Sequence, residues 1–210
     1  LVLSAGSIRS LGQENSACLE CHGKAGLKIE RKGRELSLFV DETKFAASVH
    51  SSVPCVGCHT DLDAVAKFPH KSELAVVRCD ECHEDDSAPI AAYWASTHGQ
   101  RVKAGDAQAP HCQDCHGSHE ILPLKDPHSA VSPFNIPNMC AQCHKGVAED
   151  YWEGIHGQLV KRGEVDAPVC TRCHGEHGIL SPRDVRSPVS AARLAEQTCA
   201  PCHESAVLNE

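Results

Sequence analysis

Every cysteine in this chain sits in one five-residue frame, and that frame constrains the fold more than any other feature. The seven copies read CLECH (Cys18, Cys21, His22), CVGCH (Cys55, Cys58, His59), CDECH (Cys79, Cys82, His83) and CQDCH (Cys112, Cys115, His116). They continue as CAQCH (Cys140, Cys143, His144), CTRCH (Cys170, Cys173, His174) and CAPCH (Cys199, Cys202, His203). C-x-x-C-H reads as a c-type haem attachment site. Its two thiols are spaced to form thioethers with the two vinyl groups of one porphyrin, and the next residue supplies the proximal imidazole to the iron.

Two other chemistries use paired cysteines. His makes up 15 of 210 residues, so a His after all seven pairs would arise by chance roughly once in a hundred million sequences. Zinc ribbons take two C-x-x-C pairs per metal and need no His beside the second Cys; seven pairs would also leave one unmatched. A disulfide framework closes loops of varied length and does not repeat one tight spacing. The expected cofactors are therefore seven haem c groups, attached covalently, each with an iron.

About 30 residues per cofactor is too few for each to have its own domain. Aromatic residues are only 4%, and Gly and Pro together number 27. Such a chain is expected to be largely disordered without its cofactors. The expected fold is mostly irregular with short α-helices and little β, organised around closely packed covalent haems. The formal charge of −8 argues against a nucleic-acid partner. Covalent haem attachment on the outer side of a membrane implies export, to the periplasm or the cell surface. The opening LVLSAGSIRS reads as the tail of a removed or anchoring apolar segment.

An internal repeat organises the rest. The stretch from Tyr93, YWASTHGQRVKAGDAQAPHCQDCHGSHEIL, aligns without a gap on that from Tyr151, YWEGIHGQLVKRGEVDAPVCTRCHGEHGIL, 58 residues later. Each stretch is followed by a further motif, at Cys140 and at Cys199, and a shortened copy, FAASVHSSVPCVGCH, closes at Cys79. The predicted organisation is a leading single-haem segment over 1–45 and two-haem modules over 46–90, 91–149 and 150–210, in one continuous haem-packed domain. Helices are predicted over Ala91–Lys103, Val147–Lys161 and Ser190–Gln197, with a small strand or hairpin at Glu35–Val40. Tyr93, Trp94, Tyr151 and Trp152 are expected to pack a helix against a haem face. The acidic run Asp80, Glu81 and Glu84–Asp86 reads as a solvated loop.

Setting aside the proximal His22, His59, His83, His116, His144, His174 and His203 leaves eight His for seven distal positions. The sole Met, Met139, has no counterpart in the other modules, so bis-His ligation is the economical expectation. His98 with His156, and His119 with His177, occupy equivalent repeat positions; His50 matches the first pair. His70 is the one remaining His between the second and third motifs. The seventh ligand falls to His128 or His111, with His128 favoured because His111 is tethered beside Cys112. A ligand from a neighbouring subunit is a further option.

Three features together resemble the multihaem c-type cytochromes of anaerobic respiratory bacteria. They are the segments SVH (His50), STHG (His98) and GIHG (His156), the motifs CQDCHGSH and CTRCHGEH, and the closing C-x-x-C-H of each module. The resemblance covers nearly the whole chain from Cys18, and departs in the first module, where Leu62 stands in place of His119 and His177. It implies an electron-transfer protein in anaerobic or extracellular respiration, with redox proteins, a membrane cytochrome or a metal oxide as partner, and with self-association into a filament as one form. The alternatives are a periplasmic subunit of a membrane quinol oxidoreductase and, less expected, a multihaem reductase. No residue is expected to be catalytic.

Overall fold

The computed structural model of the chain describes residues 15–31, 34–63, 68–83 and 87–204. The apolar opening at Leu1–Ala5 and the acidic Glu84–Asp86 lie outside the described residues. The described chain is mostly short helices and turns with one small hairpin, as the composition leads one to expect. It divides into two compact units: residues up to Cys79 together with Ser118–Pro123, and Asp80–Gly117 together with Leu124 onward.

The first unit opens with α1 (Asn15–His22), which carries the leading motif. Strands β1 (Lys28–Arg31) and β2 (Arg34–Ser37) pair antiparallel, with Ile29 opposite Leu36 and Glu30 opposite Glu35. The predicted strand is thus real but starts one residue earlier and ends at Ser37. The chain leaving β2 folds back on α1, with the Val40 N–H donating to the His22 carbonyl at 2.7 Å. Next, α2 (Glu42–Ala47) starts at Asp41, whose carboxylate accepts from the Thr43 and Lys44 N–H groups, satisfying donors that a helix start otherwise leaves open. A single helical turn, α3 (Cys55–Cys58), holds the second motif.

In the second unit the two long repeat copies fold alike. Helices α4 (Ala88–Ala95) and α5 (Thr97–Lys103) in one copy correspond to α8 (Lys145–Glu153) and α9 (Ile155–Lys161) in the other. Each was expected as one continuous helix, and each is broken by a single extended residue. Ser96 (ψ 166°) breaks the first, and its hydroxyl caps α5 by accepting from the Gly99 N–H. Gly154 (ψ 163°) breaks the second. The break folds the second helix closely back on the first. A Cβ at Gly99 would strike the Tyr93 carbonyl oxygen, and one at Gly157 the Tyr151 carbonyl oxygen. Only glycine allows that approach.

Helices α6 (Cys112–His116) and α10 (Cys170–His174) each form one motif turn, α7 (Ile136–Ala141) carries Cys140, and α11 (Ala200–His203) ends the described chain. Between the two motifs of each copy run successive turns: Ser129, Ser132 and Asn135 each donate a backbone N–H to the carbonyl three residues earlier, as do Ser187, Ser190 and Arg193. All four serines are buried. The helix predicted at Ser190–Gln197 begins only at Leu194, as a wide turn through Cys199, because these serine turns extend to Arg193.

The apolar core is small. Among the described residues Ala109, Ile136, Ala148, Val160 and Val169 are the buried hydrophobic ones, and Ile136, Val160 and Val169 cluster with Tyr151 and Trp152. The repeated aromatics are thus packing residues. Each Tyr–Trp pair meets edge to face at 5.0 and 5.2 Å, and each Tyr hydroxyl donates to a proline carbonyl, Tyr93 to Pro110 at 2.8 Å and Tyr151 to Pro168 at 3.0 Å. Lys103 and Lys161 cover the Trp rings at 5.1 and 5.3 Å, a cation–π contact that shields the indole from water. Among the described residues no helix is long and apolar enough to cross a membrane.

Candidate haem-binding sites

In a helical turn, residues three and four apart share a face. Where the motif is helical, as in α3, α6 and α10, this brings both thiols to one side, and in α6 and α10 it also places the His beside them. None of the 14 thiols is in a disulfide. Gly117 and Gly175 follow α6 and α10 at φ 84° and 78°, in the left-handed region where glycine is favoured. They turn the chain so that His119 and His177, two residues on, leave their own motif and reach a different one.

A metal–imidazole bond is about 2 Å, and a ring centroid lies about 1.1 Å beyond its nitrogen, so two imidazoles on opposite sides of one iron have centroids roughly 6 Å apart. Within the two units, His rings pair at this spacing five times over. The pairs are His22–His70 at 6.0 Å, His59–His119 at 6.3 Å, His98–His144 at 6.1 Å, His116–His177 at 5.9 Å and His156–His203 at 6.0 Å. Every pair joins one motif His to one of the His expected as distal ligands.

The pairs follow the repeat. His98 and His156 meet the second motif of their own module, at matching ring tilts of 36° and 35°. His119 and His177 cross back to the first motif of the preceding module. His70 meets the leading motif, the part that Leu62 cannot play in the first module. The structure therefore supplies what residue order alone does not, namely which His faces which motif.

Hydrogen bonds and burial favour ligation in these pairs. The Nδ1–H groups of His22 and His70 donate to the carbonyls of Leu38 at 2.8 Å and Lys71 at 2.7 Å. Each ring thereby keeps Nε2 as its unprotonated nitrogen, the arrangement that orients a metal-binding imidazole. Burial, with the facing ring second, holds His59, His98 and His116 below the usual His range. Burial does the same for His119, and for His174 with His144 as the neighbour. The neutral imidazole is the form that binds metal.

Neighbouring motifs lie close to one another within each unit. In the first unit the Cys55 side chain hydrogen-bonds Cys18, and burial together with Cys18 pushes the Cys55 thiol up to about 11. The Asn15 side chain accepts from the Cys55 N–H at 2.8 Å. In the second unit His83 lies beside His116 and Cys115 beside Cys143. Cys140 hydrogen-bonds Cys170, which raises the former and lowers the latter, and Cys173 lies beside Cys199 and Cys202. An open depression of about 360 Å³ next to the last motif is lined by Ala191, Leu194, Ala195, Cys199, Ala200 and His203, with Glu204 at its edge.

His111 and His128 are exposed, and among the described residues neither ring stacks on another imidazole. The His128 N–H is tied to the Asp126 carboxylate at 2.8 Å, and the His111 N–H to Asp114 at 2.7 Å. No group of three or more His, Cys, Asp or Glu is gathered as a metal shell among the described residues. The paired imidazoles have the spacing that two ligands on opposite sides of one metal ion would have. A further repeat signal in the sequence is D-x-x-S-x-x-S, from Asp126 and from Asp184, whose serines are the buried Ser129, Ser132, Ser187 and Ser190. No family model matches this chain, and no solved structure matches its fold.

Proposed function

We propose that this chain is an exported electron carrier holding seven haem c groups, each bound through a C-x-x-C-H motif and ligated by two imidazoles. The observation that carries this reading is the set of five His pairs at 5.9–6.3 Å, each made of one motif His and one other. Haem iron supplies one-electron chemistry; the protein sets its axial ligands, burial and access. Cys18, Cys21, Cys55, Cys58, Cys79, Cys82, Cys112, Cys115, Cys140, Cys143, Cys170, Cys173, Cys199 and Cys202 provide the thioether sulfurs.

The small apolar core supports the same reading. The core cluster of the second unit holds only three buried residues, Ile136, Val160 and Val169. A chain with so small an apolar core gains most of its interior when flat apolar groups fill the spaces beside the thiols. His50 stands at the repeat position of His98 and His156.

Two imidazoles per iron leave no position for a substrate and limit geometric change between oxidation states, as suits a carrier rather than a reductase. His in place of Met as sixth ligand also removes a factor that raises the potential, so low midpoints are expected. Neighbouring motifs lie close within each unit, and electrons would move between those neighbours. Redox proteins, a membrane cytochrome or a metal oxide are the partners this chemistry fits. A redox titration of the haem-loaded protein tests the reading: midpoints mostly below zero against the hydrogen electrode support it, and midpoints mostly well above zero contradict it.

A further inference from the structure

Two joins between modules are formed by the described residues, and they are not alike. In the first unit the Val49 N–H donates to the Ile121 carbonyl at 2.9 Å, and His119, two residues before Ile121, faces His59. In the second unit the Thr97 N–H donates to the Ile179 carbonyl at 2.9 Å, and His177, two residues before Ile179, faces His116. Here a second bond is added: the Thr97 Oγ1 accepts from the Ser181 N–H at 3.0 Å. The repeat aligns Thr97 with Val49 and Ser181 with Pro123. Val49 has no hydroxyl to accept and Pro123 no N–H to donate. Acceptor and donor are thus both missing from one join and both present in the other.

Thr97 stands between the distal ligands of two irons. On one side it directly precedes His98, which faces His144 at 6.1 Å. The residue after His98 is the buried Gly99, whose N–H donates to the hydroxyl of the fully buried Ser96 at 3.1 Å. On the other side, Ile179 and Ser181 are the residues through which Thr97 holds the segment that carries His177. The backbone on both sides of His98 is tied down, and one of those ties also fixes the stretch of chain that delivers His177 to His116.

We propose that Thr97 couples the distal ligation of two haems: its hydroxyl bond to Ser181 holds His98 on the His144 iron and His177 on the His116 iron at once. This rests on the haem reading above. Thr97 touches neither iron and is a positioning residue for both. Loss of the Oγ1 acceptor leaves the part-buried Ser181 N–H without its partner, and losing a bond of this kind shifts an equilibrium by about tenfold. The Thr97–Ile179 bond remains, so the ring pairs persist and the change falls on how often each imidazole leaves its iron. The Ser96 hydroxyl acts through Gly99 on one side only, and so on His98 alone.

The test is stopped-flow mixing of the haem-loaded, reduced protein with saturating carbon monoxide, whose binding rate then reports how fast a distal imidazole leaves. Thr97→Val keeps the side-chain shape and removes the hydroxyl. It should make two-sevenths of the haem react about tenfold faster than in the parent chain, while Thr97→Ser, which keeps the hydroxyl, should match the parent. Ser96→Gly should accelerate one-seventh only. When Thr97→Val is combined with His177→Ala, one-seventh should bind without delay and one-seventh at the accelerated rate, which assigns the two sites. Acceleration of any other fraction by Thr97→Val, including none, would overturn the proposal, as would equal acceleration by Thr97→Ser. A parent chain lacking seven haems by intact mass would instead sink the reading on which the proposal rests.

Discussion

Removing His177 isolates one step of this account. The ring faces His116 with centroids 5.9 Å apart and planes 6° from parallel, so His177→Ala should take the sixth ligand from the His116 haem alone. One iron in seven, about 14% of the total, is then expected to become high-spin. The neighbours should keep their ligands, because the hydrogen bonds that place the segment, Thr97 N–H to Ile179 O and Ser181 N–H to Thr97 Oγ1, involve no atom of His177. Removal of the His177 ring leaves a space the size of an imidazole, so added free imidazole should restore the low-spin state. Electron paramagnetic resonance with spin counting reads both effects, and intact mass confirms that seven haems remain. An unchanged low-spin count would refute the pairing. A loss of two or more low-spin centres would refute the claim that each pair is set locally.

Further outcomes follow from the same geometry. Gly99→Ala and Gly157→Ala should each destabilise the haem-loaded protein by about 2–3 kcal/mol, since a Cβ meets backbone that cannot move aside; Gly146→Ala, inside α8 with nothing within 4 Å, should stabilise by up to about 1 kcal/mol. Denaturant midpoints compare the three. Tyr151→Phe removes the hydroxyl bond to the Pro168 carbonyl and should cost about 1 kcal/mol by the same measurement. Burial pushes the Tyr93 hydroxyl up to about 12 from 10, which favours the neutral form in the folded state. Its contribution is therefore complete below pH 10 and is lost as pH rises toward 12, a drop that Tyr93→Phe should reduce. Cyanide or nitrite added to concentrated protein should leave the low-spin spectrum unchanged; conversion of a haem under those conditions would favour a reductase.

How much of this was legible in the sequence depended on whether the determinant was local. The C-x-x-C-H turns and the equivalence of His98 with His156 and of His119 with His177 rest on spacing within a few residues, and the repeat exposed them directly. The breaks at Ser96 and Gly154 were hidden because the composition stays helical across them; the serine cap and the Gly99 and Gly157 contacts that stabilise the fold-back become visible only in three dimensions. The assignment of distal His to motifs was also out of reach. It depends on the bonds Val49–Ile121 and Thr97–Ile179, which join residues 72 and 82 positions apart, and sequence order would sooner have paired His119 with its own module. The seventh ligand stayed open between His128 and His111 because Arg186 and Val169 replace them in the other copy, which removes the repeat as a guide.

The most direct test of the central claim is the intact mass of the purified, denatured chain. Thioether bonds survive denaturation, so the account predicts the polypeptide mass plus seven haems in a single species. The bare polypeptide mass, or one raised only by dissociable metal, would contradict it.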